Sequence, residues 1–97
     1  MTLKRFEEAR KILRKIMRVA RRILGEGNRL TLKMRSIYAQ ALCMDTSATV
    51  DDLNEAVTTL EDVERISRRT FGGTHPFAVR IEGSLRAARE ILRLRTQ

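Results

Sequence analysis

The sequence repeats itself with an offset of 47 residues, the distance from Leu13 to Leu60. When the chain is shifted by this offset, apolar residues fall on apolar residues and the helix-breaking glycines coincide. The matched positions include Ile16 with Val63, Val19 with Ile66, Leu24-Gly25 with Phe71-Gly72, and Ala41 with Ala88. A fixed period of this length is typical of stacked repeats, in which each copy is one supersecondary unit. The chain is therefore predicted to fold as two copies of one unit.

Within each copy the apolar residues recur in steps of three and four, which is the period of a helix with one packing face. This pattern predicts four helices, over about residues 3–24, 29–44, 50–71 and 76–95. The expected fold class is all-α, with antiparallel helix hairpins. Residues 1–97 are predicted to form a single helical repeat domain, with copy 1 at about 3–45 and copy 2 at about 49–95. A hydrophobic content of 42% is enough for a globular core.

The predicted helices carry the start and stop signals that helices use. Asn28 is a candidate N-cap for the second helix, and Thr49 with Asp52 forms a candidate capping box for the third. Gly25 and Gly72 follow the first and third helices, where glycine commonly ends a helix. Pro76 is predicted at the first position of the fourth helix, where its missing N–H costs nothing.

The junction between the third and fourth helices resembles a known family motif. The stretch Arg69-Thr70-Phe71-Gly72-Gly73-Thr74-His75-Pro76 is similar to the "R-x-L-G-x-x-H-P" junction of kinesin-light-chain-like tetratricopeptide repeats. Thr31-Leu32-Lys33-Met34-Arg35 resembles the "T-L-x-x-R" opening of the family's helix A, and Glu55-Ala56 resembles the Glu-Ala of helix B. The resemblance implies a B–A–B–A order, so that only residues 28–71 form a complete A–B unit. It also implies a protein-interaction scaffold.

In this family the A helices line a concave face, and the helical period puts three residues of each A helix on one stripe. The residues predicted to line a partner-binding groove are Lys33, Ser36, Gln40, Arg80, Gly83 and Ala87. The cationic members favour an acidic peptide as ligand. The family's paired asparagines on helix A are replaced here by Ser36-Ile37 and Gly83-Ser84.

The first helix carries much of the positive charge of a chain whose net formal charge is +8. Its candidate basic face consists of Lys11, Arg14, Lys15, Arg18, Arg21 and Arg22. Three interpretations are open for this face: a solvated surface, a surface for an acidic protein, and a surface for nucleic acid or an anionic membrane. Because stacking aromatic residues are missing from this face, nucleic acid and membrane rank behind protein as partners.

Residues that could perform chemistry are few. Cys43 and His75 are the single cysteine and the single histidine, so neither a disulfide nor a metal cluster is predicted. His75 is expected to cap the fourth helix. No nucleophile–base pair is apparent, so we expect no enzymatic activity and no cofactor. A lone thiol fits a reducing compartment, which predicts a cytoplasmic location.

Two repeats leave apolar surface at both ends of a stack. The first and fourth helices are therefore predicted to meet a neighbouring chain through Ile12, Met17 and Val19 at one end and Ile91, Leu92 and Leu94 at the other. The expected function is a scaffold that binds protein or peptide and either self-associates or belongs to a longer array. The rival hypothesis is a basic helical module that binds nucleic acid or an anionic membrane through the first helix. The polar turn over residues 45–50 would also permit a swapped dimer.

Overall fold

The computed structural model describes residues 3–97, with side chains from Glu7 onward. Its helices are α1 (Leu3–Ile23), α2 (Arg29–Met44), α3 (Val50–Phe71) and α4 (Pro76–Arg95). No strand occurs in this part of the chain. The all-α fold class and the four predicted helices are confirmed. None of the described helices has an apolar stretch long enough to cross a membrane.

The helices begin and end where the predicted signals lie. The Thr49 hydroxyl accepts from the Asp52 N–H at 3.1 Å, and the Asp52 carboxylate accepts from the Thr49 N–H at 3.0 Å, which completes the capping box of α3. Asn28 accepts from the Leu30 N–H at 2.9 Å and so caps α2. His75 Nδ1 accepts from the Phe77 N–H at 3.1 Å, which confirms the predicted role of His75 as a cap.

Two glycines end helices in a conformation that other residues rarely adopt. Gly25 follows α1 with a φ of 92°, and Gly72 ends α3 with a φ of 93°. Both positions lie in the left-handed region, where a Cβ atom is strained. The two glycines are separated by the repeat offset, so the same turn chemistry reverses the chain in both copies.

A single core joins α2, α3 and α4. α3 packs against both α2 and α4, while α2 also contacts α4. Leucine, valine and alanine at helical spacing supply most of the buried surface, as the sequence pattern predicts. The largest fully buried apolar side chains of this core are Leu32, Leu42, Leu60, Val63 and Ile81.

The first helix is peripheral to this core. Along its backbone α1 contacts only α2 among the described helices, and it reaches α3 through side chains. Of the predicted end residues, Ile12, Val19 and Leu94 are exposed. The prediction was wrong for Met17 and Leu92, which are half-buried and pack against the core, and Ile91 is also half-buried. These side chains lie on the inner flank of their helices, which helical spacing alone does not distinguish from the outer flank.

Candidate functional site

Four aliphatic residues form an exposed row along α1. Their spacing of four, three and four residues puts them on one face of the helix. Their exposed fractions lie between 38% and 72%. We call this row the apolar stripe, and its members are Ile12, Ile16, Val19 and Ile23. A solvent-facing row of large aliphatic side chains is unusual on a folded domain and is typical of a surface that binds another protein.

The matching positions of the second copy are buried. The repeat offset takes Ile16, which is 45% exposed, to Val63, which is 0% exposed. It takes Val19 to Ile66, whose exposure is 3%. In the second copy α2 covers this face of α3. The evidence is an ion pair at 2.8 Å between Arg35 of α2 and Asp62, the residue before Val63. No described helix takes the corresponding place on α1.

The second helix, α2, extends the exposed apolar surface of α1. Ile37 of α2 is 55% exposed. Its equivalent in α4 is Ser84, whose hydroxyl accepts from the Gln40 side chain of α2 at 3.0 Å. Ile37 thus lies where the α2-equivalent helix of a preceding repeat would contact α2. We define the open edge as the apolar stripe together with Ile37. Such a preceding helix would cover this face.

The opposite flank of α1 is attached to the rest of the molecule by polar contacts. Arg14 donates to the Tyr38 hydroxyl at 2.8 Å and pairs with Glu55 at 2.8 Å. Arg10 pairs with Asp52 at 3.0 Å and with Glu55 at 3.3 Å. These contacts turn the apolar stripe away from the core and leave it on the outside.

The pKa values of this polar cluster follow from its geometry. Burial raises the pKa of the Tyr38 phenol, and the hydrogen bond that Tyr38 donates to Glu55 adds to this rise. The hydrogen bond from the Thr49 N–H lowers the pKa of the Asp52 carboxyl, and the charge of Arg10 lowers it further. At neutral pH the Asp52 carboxyl is therefore ionised and the Tyr38 phenol is neutral.

The predicted basic face divides into two parts in the structure. Arg14 turns towards Tyr38 and Glu55, and Arg21 pairs with Glu26 of the following turn. The other four members are exposed, form no ion pair with any described side chain, and lie in a row beside the apolar stripe. We call them the cationic stripe: Lys11, Lys15, Arg18 and Arg22.

The predicted groove on the A helices is only partly assembled. Lys33, Arg80, Gly83 and Ala87 are exposed. Ser36 is buried, and its hydroxyl donates to the Lys33 carbonyl at 2.8 Å, so its side chain offers nothing to a ligand. The burial follows from helix phase, since Ser36 lies one turn from buried Leu32 and Ala39. As a partner-binding site the groove stays a prediction.

Part of that groove exists as a shallow depression of about 190 Å³ between α2 and α4. Gln40 and Ala87 line it as predicted. The spacing of residues within one helix did not predict the other residues that line this depression, because they lie on helix flanks that face a second helix. Those residues are Cys43, Met44, Leu60, Ser84, Ala88 and Ile91.

The described residues include no group of histidine, cysteine and carboxylate side chains that could hold a metal ion. Cys43 is half-buried, and burial raises the pKa of its thiol. A thiol with a raised pKa forms less of the reactive thiolate at neutral pH. Cys43 is therefore poorly suited to act as a nucleophile.

The comparisons with known proteins point to one repeat family. Residues 1–29, which comprise α1 and the turn into α2, match the family model of a tetratricopeptide repeat. No curated protein and no solved structure matches the chain. The match supports a tetratricopeptide-type repeat protein and does not single out the kinesin-light-chain-like group.

Proposed function

We propose that the chain is a non-catalytic protein–protein interaction scaffold of the tetratricopeptide type, whose open edge binds a helix supplied by another protein molecule. One observation carries this proposal: Ile16 and Val19 are exposed, whereas their equivalents Val63 and Ile66 are buried under α2. The family match of residues 1–29 supports it, because stacked helical repeats use their extended surfaces for binding.

The apolar stripe provides the driving force for such binding. Covering each of its aliphatic side chains contributes on the order of 1 kcal/mol, because about half of each side chain is now in contact with water. Four such residues along one helix face offset part of the entropic cost of association. The helix comes from a second copy of the chain or from further repeats of a longer array.

The charge beside the stripe selects among partners. Lys15 and Arg22 adjoin the apolar stripe, and neither forms an ion pair with a described residue. A partner helix that brings a carboxylate to these positions gains favourable contacts there, whereas one that brings a cation there is repelled. We therefore propose that the binding helix presents a carboxylate beside Lys15. The resemblance to kinesin-light-chain repeats and the lone thiol are the grounds for a cytoplasmic scaffold.

Sedimentation velocity over a wide concentration range tests whether the open edge mediates association. We expect the wild-type chain to self-associate and Ile16→Asp to remain monomeric at the same concentrations. Val50→Asp is the matched control, because Val50 is 39% exposed and lies on α3 outside the open edge. An Ile16→Asp chain that associates as the wild type does would remove the open edge from the interaction.

The cationic stripe supports a second candidate function, which is binding of a nucleic acid or an anionic membrane. Four basic residues in one row, with no described carboxylate within ion-pair distance, form a site for a polyanion. This function predicts binding to an oligonucleotide or to phosphatidylserine vesicles that weakens steeply with salt and is lost in Arg18→Gln/Arg22→Gln. Self-association through the apolar stripe depends much less on salt, so the two functions separate in a salt titration.

A further inference from the structure

The chain itself contains a helix that covers the equivalent of the open edge. α2 covers that face of α3, and the buried Arg35 of α2 pairs with Asp62 of α3 at 2.8 Å. One repeat earlier, the place of Asp62 is taken by Lys15. A helix that covers α1 in the same register therefore needs a carboxylate where α2 has Arg35.

One helix of the chain has that carboxylate. The repeat offset takes Arg35 to Glu82 of α4, so both members of the pair have reversed charge. The Glu82 side chain is 53% exposed and, among the described residues, pairs only with Arg86 of its own helix, at 3.3 Å. We propose that α4 of one copy covers the open edge of a second copy, so that copies stack head to tail and Glu82 pairs with Lys15. This inference rests on the proposed function, because it names the occupant of the same edge.

Apolar positions agree with this register. Inside the chain, the Gln40 side chain of α2 contacts Ser84 of α4. The repeat offset takes Gln40 forward to Ala87 and Ser84 back to Ile37. In the stack, Ala87 of one copy would therefore contact Ile37 of the next copy. A polar pair inside the chain is thus replaced by an apolar pair between chains. Val79 stands at the position equivalent to the fully buried Leu32, yet it is exposed in the single chain. Both surfaces expose apolar side chains where the stack would bury them.

The other helices of a second copy fit the open edge less well. α2 would bring Arg35 against Lys15, and its packing face is already buried on α3. A second α1, laid antiparallel along the apolar stripe, would bring Lys15 close to Arg22 of its neighbour. Like charges in contact oppose binding. The charge at the position opposite Lys15 therefore favours α4 over both an exchanged α2 and a symmetric α1 pair.

A head-to-tail contact uses two different surfaces and does not close on itself, so it predicts an open series of oligomers. Two charge reversals test this directly. Lys15→Glu damages the open edge but leaves α4 intact, whereas Glu82→Lys damages α4 but leaves the open edge intact. We expect each variant alone to associate roughly tenfold or more weakly than the wild type.

Mixing the two variants is the decisive measurement. The intact α4 of Lys15→Glu matches the intact open edge of Glu82→Lys, and the two altered surfaces also carry opposite charges, so the mixture should regain in light scattering the association that each variant alone has lost. The double variant Lys15→Glu/Glu82→Lys should regain open-ended association. Arg69→Glu is the control for a charge reversal of the same size, because Arg69 is exposed on α3 outside both surfaces, and circular dichroism checks that each variant keeps its helices.

The outcomes separate this inference from the function on which it rests. If the wild type associates and Ile16→Asp abolishes association, but both charge reversals behave as the wild type does, the open edge is the site and α4 is not its occupant. A mixture that associates no more strongly than either variant alone overturns the head-to-tail arrangement in the same way. A wild-type chain that is monomeric at every concentration overturns the inference together with self-association.

Discussion

Tyr38 of α2 donates its hydroxyl proton to Glu55 of α3 at 2.6 Å. The same phenol oxygen accepts from Arg14 of α1 at 2.8 Å, so one side chain links three helices. Glu55 also pairs with Arg10 and Arg14. Since α1 makes little backbone contact with α2 and none with α3, this polar cluster fixes the orientation of α1, and through it the outward position of the apolar stripe.

Tyr38→Phe removes the shared hydroxyl and keeps the aromatic ring. We expect a loss of about 2 kcal/mol in the free energy of unfolding, because two partly buried hydrogen bonds to charged groups disappear. The loss should be concentrated in α1, and hydrogen exchange should show faster exchange of α1 amides than of α3 amides. Thr58→Ala is the control, since the Thr58 hydroxyl donates to the Asn54 carbonyl on α3 and has no other partner in the described part of the chain. Equal acceleration in all helices would show that Tyr38 does not fix α1 specifically.

Acid should destabilise the fold through Asp52. The Thr49 N–H and Arg10 hold the folded-state pKa of Asp52 below its ordinary value, so the unfolded chain takes up a proton first as pH falls. The stabilisation from this carboxylate is therefore complete above the ordinary range near pH 4 and is lost as pH falls further through the folded-state pKa. Urea unfolding measures the free energy of unfolding at about pH 7 and 5, above the ordinary aspartate pKa, and at about pH 4 and 3, near and below it.

A matched pair of variants isolates this contribution. Asp52→Asn should lower stability at pH 7 and reduce the dependence of stability on pH below about 4, because the titrating group is gone. Asp51→Asn is the control, since Asp51 is exposed and is not part of the capping box. If both variants changed the pH profile equally, net charge and not the cap would be responsible.

The helix boundaries were predictable from the sequence because caps and breaks are local. Asn28, Thr49 and His75 each accept a backbone hydrogen bond two or three residues away, and Gly25 and Gly72 supply the left-handed turns. Such contacts depend only on neighbours in the chain. The repeat offset likewise identified matching core positions without knowledge of any contact.

Contacts between helices were not predictable in the same way. The sequence places Arg14 and Lys15 together on a basic face, yet Arg14 pairs with Glu55 while Lys15 remains exposed. The helical period fixes the angle between two side chains but does not say which neighbouring helix lies at that angle. For the same reason Ser36 was predicted on a surface and is buried, and the partly buried Arg35–Asp62 pair was not anticipated.

Ser67→Ala should stabilise the protein. Ser67 is fully buried, and its hydroxyl oxygen has no hydrogen-bond partner among the described residues. A buried hydroxyl without a partner costs about 1 kcal/mol or more, and alanine also favours the helix. The repeat offset takes Ser67 back to Ala20, so the first copy already has the smaller residue. Thermal unfolding should show a midpoint about 4–8 °C higher, and a lower midpoint would contradict the assignment.

Exchanging the charges of the Arg35–Asp62 pair tests whether the interface between α2 and α3 is as stable with the anion on α2 and the cation on α3. Arg35→Glu and Asp62→Lys should each destabilise the chain by roughly 3 kcal/mol, because each leaves two like charges at a partly buried site. The double variant restores opposite charges and should recover more than half of the loss in urea unfolding, which a double-mutant cycle reports as coupling.

The reversed pair would then have the polarity of Glu82 and Lys15. Recovery in the double variant would mean that a glutamate on the covering helix and a lysine on the covered helix fit this register, which the head-to-tail contact between copies requires. A double variant no more stable than either single variant would mean that the site discriminates by shape as well as by charge. In that case the complementarity of Glu82 and Lys15 would not be sufficient to make α4 the occupant of the open edge.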